Sequence, residues 1–371
     1  MSNSAAGPAP SHSSRIYGCL LGGALGDALG YPVEQRSLAD IRQLFGVDGL
    51  ATLNDLAVDG GTPGFSDDTQ LTLYTVDGLV EALEWANDGI GADVNACLWL
   101  AYLRWLATQG EPAPVHAPHP QPRWIDGQAV LRQRRGPGRA CISGLATGEM
   151  GTASRPVNPQ AKGCGTVMRS APFGLIPHID ASTAARLSSD AASLTHGHPA
   201  ARQASAAFSN LIHQLAAGNS LAEAAGTAVD YSRSVEAPAP EVAERLEAAF
   251  RLAATGHRGP EAMTEELGLG YVAEEALAIA LYAALVTASG PAGQLAPADH
   301  FAAAVRLAVN HDGDSDSTGS LTGNILGALY GTECLPEQWL AVLDGQDTIR
   351  GVARQLVSVT VGPERNEPET P

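Results

Sequence analysis

The sequence predicts an all-α protein. Apolar residues recur at helical spacing in segment after segment, and the apolar–polar alternation of a half-buried strand is nearly absent. The composition is also rich in small residues, with 41 glycines among 371 residues, which suits helices packed closely together. No composition break or internal repeat divides the chain, so one domain is expected over residues 14–361. Residues 1–13 (rich in Ser, Ala and Pro) and 362–371 read as loose ends.

The elements follow in order. Arg15–Leu29 is apolar and small, with Gly22, Gly26 and Gly30 spaced by four, which puts them on one helix face and predicts a close helix–helix contact. Gln70–Trp85 and Ala96–Leu106 have helical periodicity. Residues 110–123 hold many prolines and two histidines, His116 and His119, and read as a loop. Ile142–Gly148 is a short helix, residues 151–165 are irregular, and Val167–Leu175 starts another helix. Ser182–Leu194, Ala200–Leu215, Leu221–Tyr231, Glu241–Ala254 and Glu274–Val286 are helical by the same criterion. Phe301–Val309 and Ser320–Tyr330 flank an acidic loop. Trp339–Leu343 and Thr348–Val357 close the chain.

Charge and cysteine content exclude several classes of function. Lys and Arg number 22 against 40 Asp and Glu, a formal net charge of -18. Broad binding along a nucleic-acid backbone needs a cationic footprint that is missing here. An anionic membrane surface is disfavoured for the same reason. No apolar run reaches the 18 or so residues of a membrane span, and the N-terminus lacks the pattern of a signal peptide. The five cysteines (Cys19, Cys97, Cys141, Cys164, Cys334) are scattered and show no CxxC spacing. That pattern fits reduced thiols and a cytoplasmic location.

Two segments concentrate oxygen donors. One is Phe65-Ser66-Asp67-Asp68-Thr69-Gln70. The other is Asn310-His311-Asp312-Gly313-Asp314-Ser315-Asp316-Ser317-Thr318-Gly319. Taken singly, each reads as a helix N-cap, because Ser and Asp accept the free amides of a first turn. A cap needs one oxygen, however, and the second segment places three carboxylates in five residues. Such groups repel unless they are solvated or bridged by cations. Mg²⁺ or Mn²⁺ suits the mixture of carboxylate and hydroxyl oxygens. An EF-hand is excluded: counted from Asp312, the sixth position is Ser317 and the twelfth is Gly323. A metal site would therefore draw on both segments, each giving half of a two-metal centre with ions about 3.5–4 Å apart.

Other elements are individually weak. Asp27 and Glu34, in Gly26-Asp27-Ala28-Leu29-Gly30-Tyr31-Pro32-Val33-Glu34, read as a base, a ligand or solvated acids. Lys162-Gly163-Cys164-Gly165-Thr166-Val167-Met168-Arg169 is a Gly-bracketed loop entering a helix, either a diphosphate cradle or a turn. Cys164 has no neighbouring base in the sequence, which argues against thiol catalysis. Thr195-His196-Gly197-His198 reads as a helix end or a metal-binding pair. Arg123, Arg132, Arg134, Arg135 and Arg139 form a local basic segment, either paired with acids or open to a phosphate-bearing partner.

Together and in this order, these segments are specific. Four motifs carry the match: Gly26 to Gly30 with Glu34 beyond it, Ser66 to Thr69, Gly163 to Gly165 through Met168 and Arg169, and Gly313 to Ser317. Thr195-His196 is a weaker fifth. From about Arg15 to about Tyr330 the sequence resembles the ADP-ribosylglycohydrolase family, which includes the dinitrogenase reductase-activating glycohydrolases and the vertebrate ADP-ribosylhydrolases. The resemblance implies a compact multi-helix domain around a binuclear centre of Mg²⁺ or Mn²⁺. By the same carry-over, Ser66, Asp67 and Asp68 supply one set of ligands, and Asp314, Asp316 and Ser317 the other. Asp67 and Asp316, with Glu34 as ligand or general base, would serve catalysis. Gly163, Cys164, Gly165, Thr166, Val167, Met168 and Arg169 would wrap the ADP-ribose diphosphate, His196 would contact the ligand, and Tyr271 would stack in the pocket. Many relatives have Asn at the Cys164 position, so an amide toward the ligand is missing here. Thr is common at the Ser66 and Ser317 positions, and the hydroxyl is kept.

The activity implied is metal-dependent hydrolysis of an ADP-ribose N- or O-glycosidic bond, with ADP-ribose or an ADP-ribosylated protein as partner. An ADP-ribosylated nucleic acid or small conjugate is also compatible with the charge. A non-catalytic ADP-ribose reader and a hydrolase of another nucleotide-like conjugate are the alternatives. Retention of all six metal-site positions favours an enzyme.

Overall fold

A computed structural model describes residues 9–57, 61–256, 259–290 and 293–362. The helices are α1 (His12–Gly30), α2 (Leu38–Phe45), α3 (Asp67–Asn87), α4 (Val94–Thr108), α5 (Arg139–Ala146), α6 (Ala171–Gly174), α7 (Ala181–Ala192), α8 (Pro199–Ala216), α9 (Leu221–Ser234), α10 (Pro240–Ala254), α11 (Pro260–Leu267), α12 (Ala273–Val286), α13 (Pro297–Val309), α14 (Ser315–Tyr330), α15 (Glu337–Leu340) and α16 (Gln346–Thr360). Short 3-10 turns lie between them, notably Tyr31–Val33 and Cys164–Arg169. Among the described residues, strand pairing is confined to one antiparallel pair, Ser289–Gly290 with Gly293–Gln294, and an isolated bridge between Gly163 and Val272. The all-α expectation holds. No helix among these residues is long and apolar enough to cross a membrane.

The pair α1 and α14 organises the centre. Gly18, Gly22, Gly26 and Gly30 face Gly327, Gly323, Gly319 and Ser315 in turn, so the helices run antiparallel in matched steps of four residues. A Cβ on Gly26 would overlap the carbonyl of Gly319, and one on Gly30 would overlap the carbonyl of Ser315. The shared glycine face predicted a helix–helix contact, and α14 is the partner. Arg15 reinforces the far end, donating to the carbonyls of Leu215, Ala328 and Leu329 at 2.6–2.9 Å. Ala328 and Leu329 lie in the last turn of α14, whose carbonyls have no helical amide to accept from. Ile16, Leu21, Leu25, Ala28 and Leu29 of α1 are wholly buried in the main core.

Several boundaries differ from expectation. The helix α1 begins at His12, inside the stretch expected to be loose, because Ser11 caps it by accepting the amide of Ser14. Residues 1–8 and 363–371 lie outside the described residues. Val167–Leu175 is not one helix: a 3-10 turn ends at Arg169, and Pro172 sits in the single turn α6. The α14 helix starts at Ser315, five residues before the apolar run, so Asp316 and Ser317 stand in its first turn and Asp314 at its cap position. The short helices α2 and α11 were not foreseen. A capping box between Ser37 and Asp40 secures α2.

Candidate metal centre and its approaches

Three chain segments meet where α1 ends and α3 and α14 begin. At the start of α3, Ser66 is the N-cap, and its hydroxyl accepts the amide of Asp68 at 3.1 Å. Asp27, in the last turn of α1, accepts the amide of Ser66 at 2.8 Å and the amide and hydroxyl of Thr69 at 3.0 and 2.5 Å. This fully buried carboxylate staples the two helices and orients the turn that bears Asp67 and Asp68. Asp67 in turn accepts the amide of Gly138 at 3.1 Å, which brings in the loop before α5.

Glu34 reaches the same place from just beyond α1. One carboxylate oxygen each from Glu34, Asp314 and Asp316 lies within 4.8 Å of the others. Ser66, Asp67, Asp68, Asp314, Asp316 and Ser317 are all 5% exposed or less. The structure thus brings together all six sequence-predicted ligand positions and Glu34, and adds Asp27.

Burying so many acids has electrostatic consequences. Among the described residues, no Arg, Lys or His side chain hydrogen-bonds any of these carboxylates. Burial, then the charge of Asp316, pushes Asp27 and Glu34 up to about 7. Burial raises Asp67, Asp68 and Asp314 well above the usual carboxylate range as well. Oδ2 of Asp68 is buried without a partner. An orphaned buried oxygen and a crowd of like charges are costly unless cations share the site. The donors are all hard oxygens, the set that suits Mg²⁺ or Mn²⁺. The residues present therefore fit such ions.

Two loops close over the acids. The main chain of residues 162–164 is strapped to residues 271–273 by Cys164 N–H to Tyr271 C=O (3.2 Å) and Ala273 N–H to Lys162 C=O (3.1 Å). The preceding turn, Gly268–Gly270, has positive φ at both glycines. Its Leu269 carbonyl accepts the amide of Asp314 at 2.9 Å. The thiol of Cys164 donates to Oδ2 of Asp314 at 2.7 Å. Burial, then Asp314, pushes this thiol well up, so it stays protonated and is no nucleophile. Tyr271 is 48% exposed beside the site, its hydroxyl 3.5 Å from the carbonyl of Glu34.

Part of the expected diphosphate loop needs correction. Gly163 and Cys164 are accessible, but Gly165, Thr166, Val167, Met168 and Arg169 are buried. Val167 and Met168 belong to the core. Thr166 pairs with Ser205. Arg169 donates to the Thr195 hydroxyl at 2.7 Å and lies 4.2 Å over the Tyr102 ring. The 3-10 winding after Gly163 turns these side chains inward, where they cannot wrap a ligand. His196 is 2% exposed beneath Gly163 and Gly165, and its Nδ1 pairs with Thr195. Burial, then the charge of Arg169, pushes it down to about 3, so it is a neutral prop under the loop. Four of the five arginines of the basic segment have partners among the described residues, Arg139 being the exception. Arg123 bonds Asp77 and Glu84, Arg134 bonds Glu111, and Arg135 bonds Asp344, while Arg132 donates to the carbonyl of Asp126.

Two contributors were missed as site residues. Gly138 donates its amide to Asp67. Tyr31 packs its ring over Gly136, and its phenol is raised by burial and then by Asp27 and Asp316. Nothing in its local sequence marks Gly138, and Tyr31, though inside the Gly26–Glu34 segment, has a role that arises from the loop fold.

An all-α domain enclosing a buried carboxylate centre is the class that these elements define. A family model described as ADP-ribosylglycohydrolase matches residues 8–366, and the chain belongs to that family. It is similar to the ADP-ribosyl-[dinitrogen reductase] glycohydrolase of Rhodospirillum rubrum, at 26% identity over 94% of this chain and 96% of that one. An uncharacterized protein of Archaeoglobus fulgidus is also 26% identical, over 92% of this chain and 95% of its own length. The ADP-ribosylarginine hydrolase Tri1 of Serratia proteamaculans is similar over 58 residues only, at 45% identity and 16% of either chain. A solved structure described as an ADP-ribosylglycohydrolase-related protein complex shares the fold. Its TM-score is 0.61 at 23% identity, over 94% of this chain and 99% of that one.

Proposed function

We propose that this chain is a divalent-cation-dependent hydrolase that removes ADP-ribose from a modified protein by cleaving the N- or O-glycosidic bond to the acceptor. The observation that carries the reading is the convergence of five buried aspartates and the half-buried Glu34, with no Arg, Lys or His among the described residues bonded to them. Family membership supports it, as does the activity named for the Rhodospirillum relative. Ser66, Asp67 and Asp68 would hold one ion and Asp314, Asp316 and Ser317 the other, with Mg²⁺ or Mn²⁺ fitting the donors. Such ions supply positive charge and Lewis acidity for an oxygen-rich, anionic sugar nucleotide.

The chain's own residues do the rest. Glu34, whose carboxylate lies beside Asp314 and Asp316 and which cation binding would hold in its charged form, accepts the proton of the attacking water. Gly163 presents backbone to the diphosphate, and the exposed ring of Tyr271 offers a stacking face. Asp27 positions the start of α3. Five free thiols fit a cytoplasmic setting.

The test is release of free ADP-ribose, followed by mass spectrometry, from arginine-linked, serine-linked, nucleic-acid-linked and small-molecule conjugates. Release with Mg²⁺ or Mn²⁺ and none with chelator is expected, as is loss of release on Glu34→Gln. ADP-ribose binding without release from any conjugate would overturn the enzyme reading in favour of a non-catalytic reader.

A further inference from the structure

The chain contains a single lysine, Lys162, immediately before the loop that passes Asp314. Its ammonium sits 2.5 Å from Oε1 of Glu274 and 3.3 Å from Oε1 of Glu241. Glu274 is 3% exposed, and its second oxygen is buried without a partner. A carboxylate so placed depends on its cation, because a lone buried charge is strongly unfavourable.

The next residue, Glu275, accepts the amides of Leu269 and Gly270 at 3.1 and 3.3 Å, and Arg245 lies 3.7 Å from it. Two successive acids at the start of α12 therefore tether both loops that close the centre. Glu274 holds residues 162–164 through Lys162. Glu275 holds residues 269–270, whose Leu269 carbonyl fixes the amide of Asp314.

We infer that Lys162 is a positioning residue: its ion pair with Glu274 sets where Gly163 and Cys164 lie relative to Asp314, and so shapes the approach to the acids. The consequence for ligand affinity rests on the ADP-ribose reading; the tether itself does not.

Hydrogen exchange of the full chain tests it. The amides of Cys164 and Ala273 report directly, since both bonds bridge the two strapped segments. Lys162→Met is expected to speed exchange in peptides covering residues 162–165 and 269–273 by about tenfold, the scale of a lost local constraint, with α4 unchanged. Lys162→Arg keeps the charge and should stay close to the parent. A merely stabilising contact would instead speed exchange throughout the chain. If Lys162→Met folds poorly, Lys162→Met/Glu274→Gln removes the orphaned acid and should restore stability while the two peptides still exchange fast. Unchanged exchange in both peptides would overturn the assignment. Calorimetry with free ADP-ribose then separates the two readings. A parent protein that fails to bind with Mg²⁺ present removes free ADP-ribose as a ligand of this site, and the exchange result still decides the tether. A parent that binds should lose about tenfold in affinity on Lys162→Met and recover with Lys162→Arg, and affinity unchanged by Lys162→Met would refute the effect on ligand approach.

Discussion

Cation binding at this centre should be coupled to proton release, and the coupling can be worked from the structure. Asp27 and Glu34 have ordinary values of 3.8 and 4.5, and both stand near 7 in the folded chain without cations. An incoming divalent ion favours the charged forms, so it must displace their protons at any pH below 7. Between pH 7 and pH 5 each displaced proton costs about 2.7 kcal/mol, at about 1.36 kcal/mol per pH unit. Two protons make about 5 kcal/mol, or roughly a 10⁴-fold loss of affinity across that interval. The protons belong to the cluster, not to either residue, because the groups interact strongly. Asp67, Asp68 and Asp314 are raised too, so two protons is a lower bound.

Thermal unfolding alone would blur this result. Carboxyls raised to about 7 stabilise the metal-free fold fully below their ordinary values, and that contribution is lost as pH rises through 7. His196 and His311, pushed down to about 3 and about 4, act in the opposite sense. Their contribution is present above 6.5 and lost as pH falls toward the folded values. Isothermal titration of Mn²⁺ into chelated protein, in buffers of different ionisation enthalpy, isolates the cation step. Release of about two protons or more per saturated centre at pH 6, with affinity falling steeply toward pH 5, is the expected result. Affinity flat from pH 5 to pH 7, with heats independent of buffer, would refute the coupling and the assignment of these acids to a cation site.

Three substitutions probe the frame of the site, and a fourth, Gly226→Ala, tests helix stability away from it. Gly26→Val should cost about 3 kcal/mol or more in denaturant unfolding, because its side chain meets the Gly319 backbone. Gly226→Ala, in α9 with open space around it, should gain about 0.5–1 kcal/mol in the same assay. Arg169→Gln should lose about 3 kcal/mol of stability, since Thr195 and the Tyr102 face lose their buried partner. Its folded fraction should bind ADP-ribose as the parent does, and a selective loss of binding would return Arg169 to the ligand. Asp68→Asn should raise the melting temperature of chelated protein, by about 1–3 kcal/mol in stability, while weakening Mn²⁺ binding. A lower melting temperature without metal would mean that Asp68 is paired in a way the geometry does not show.

Much of the fold was legible because its helices carry their own periodicity, and the glycine step in α1 announced a close partner. The identity of that partner was not legible, since the matching glycines lie near the other end of the chain and share only a spacing. The ligand positions were readable as chemistry: hydroxyl and carboxylate oxygens at helix starts in excess of what capping needs. Asp27 was visible but ambiguous, because its role as a staple depends on the amides of Ser66 and Thr69 reaching it across two helices. The inward turn of Thr166 to Arg169 was hidden for a different reason. Sequence marks Gly163 and Gly165 as flexible, but the 3-10 winding that buries Thr166 and Arg169 is set by packing against Ser205, Thr195 and Tyr102.

The glycine packing and the acid cluster are two parts of one arrangement. Because α1 and α14 pair antiparallel in matched steps, the C-terminal end of α1 lies beside the N-terminal end of α14. Asp27 and Glu34 are thereby delivered to Asp314 and Asp316. The same Asp27 draws in the start of α3 with Asp67 and Asp68, so two helix N-termini converge on the carboxylates. Those termini carry partial positive charge and free amides, which offset some of the repulsion. The raised values of five of the acids show that the offset is incomplete. A fold optimised for its own stability would replace several of these acids with apolar or amide side chains. A centre kept so short of positive charge, behind a backbone contact that only glycine permits, is the arrangement that the proposed cation site requires.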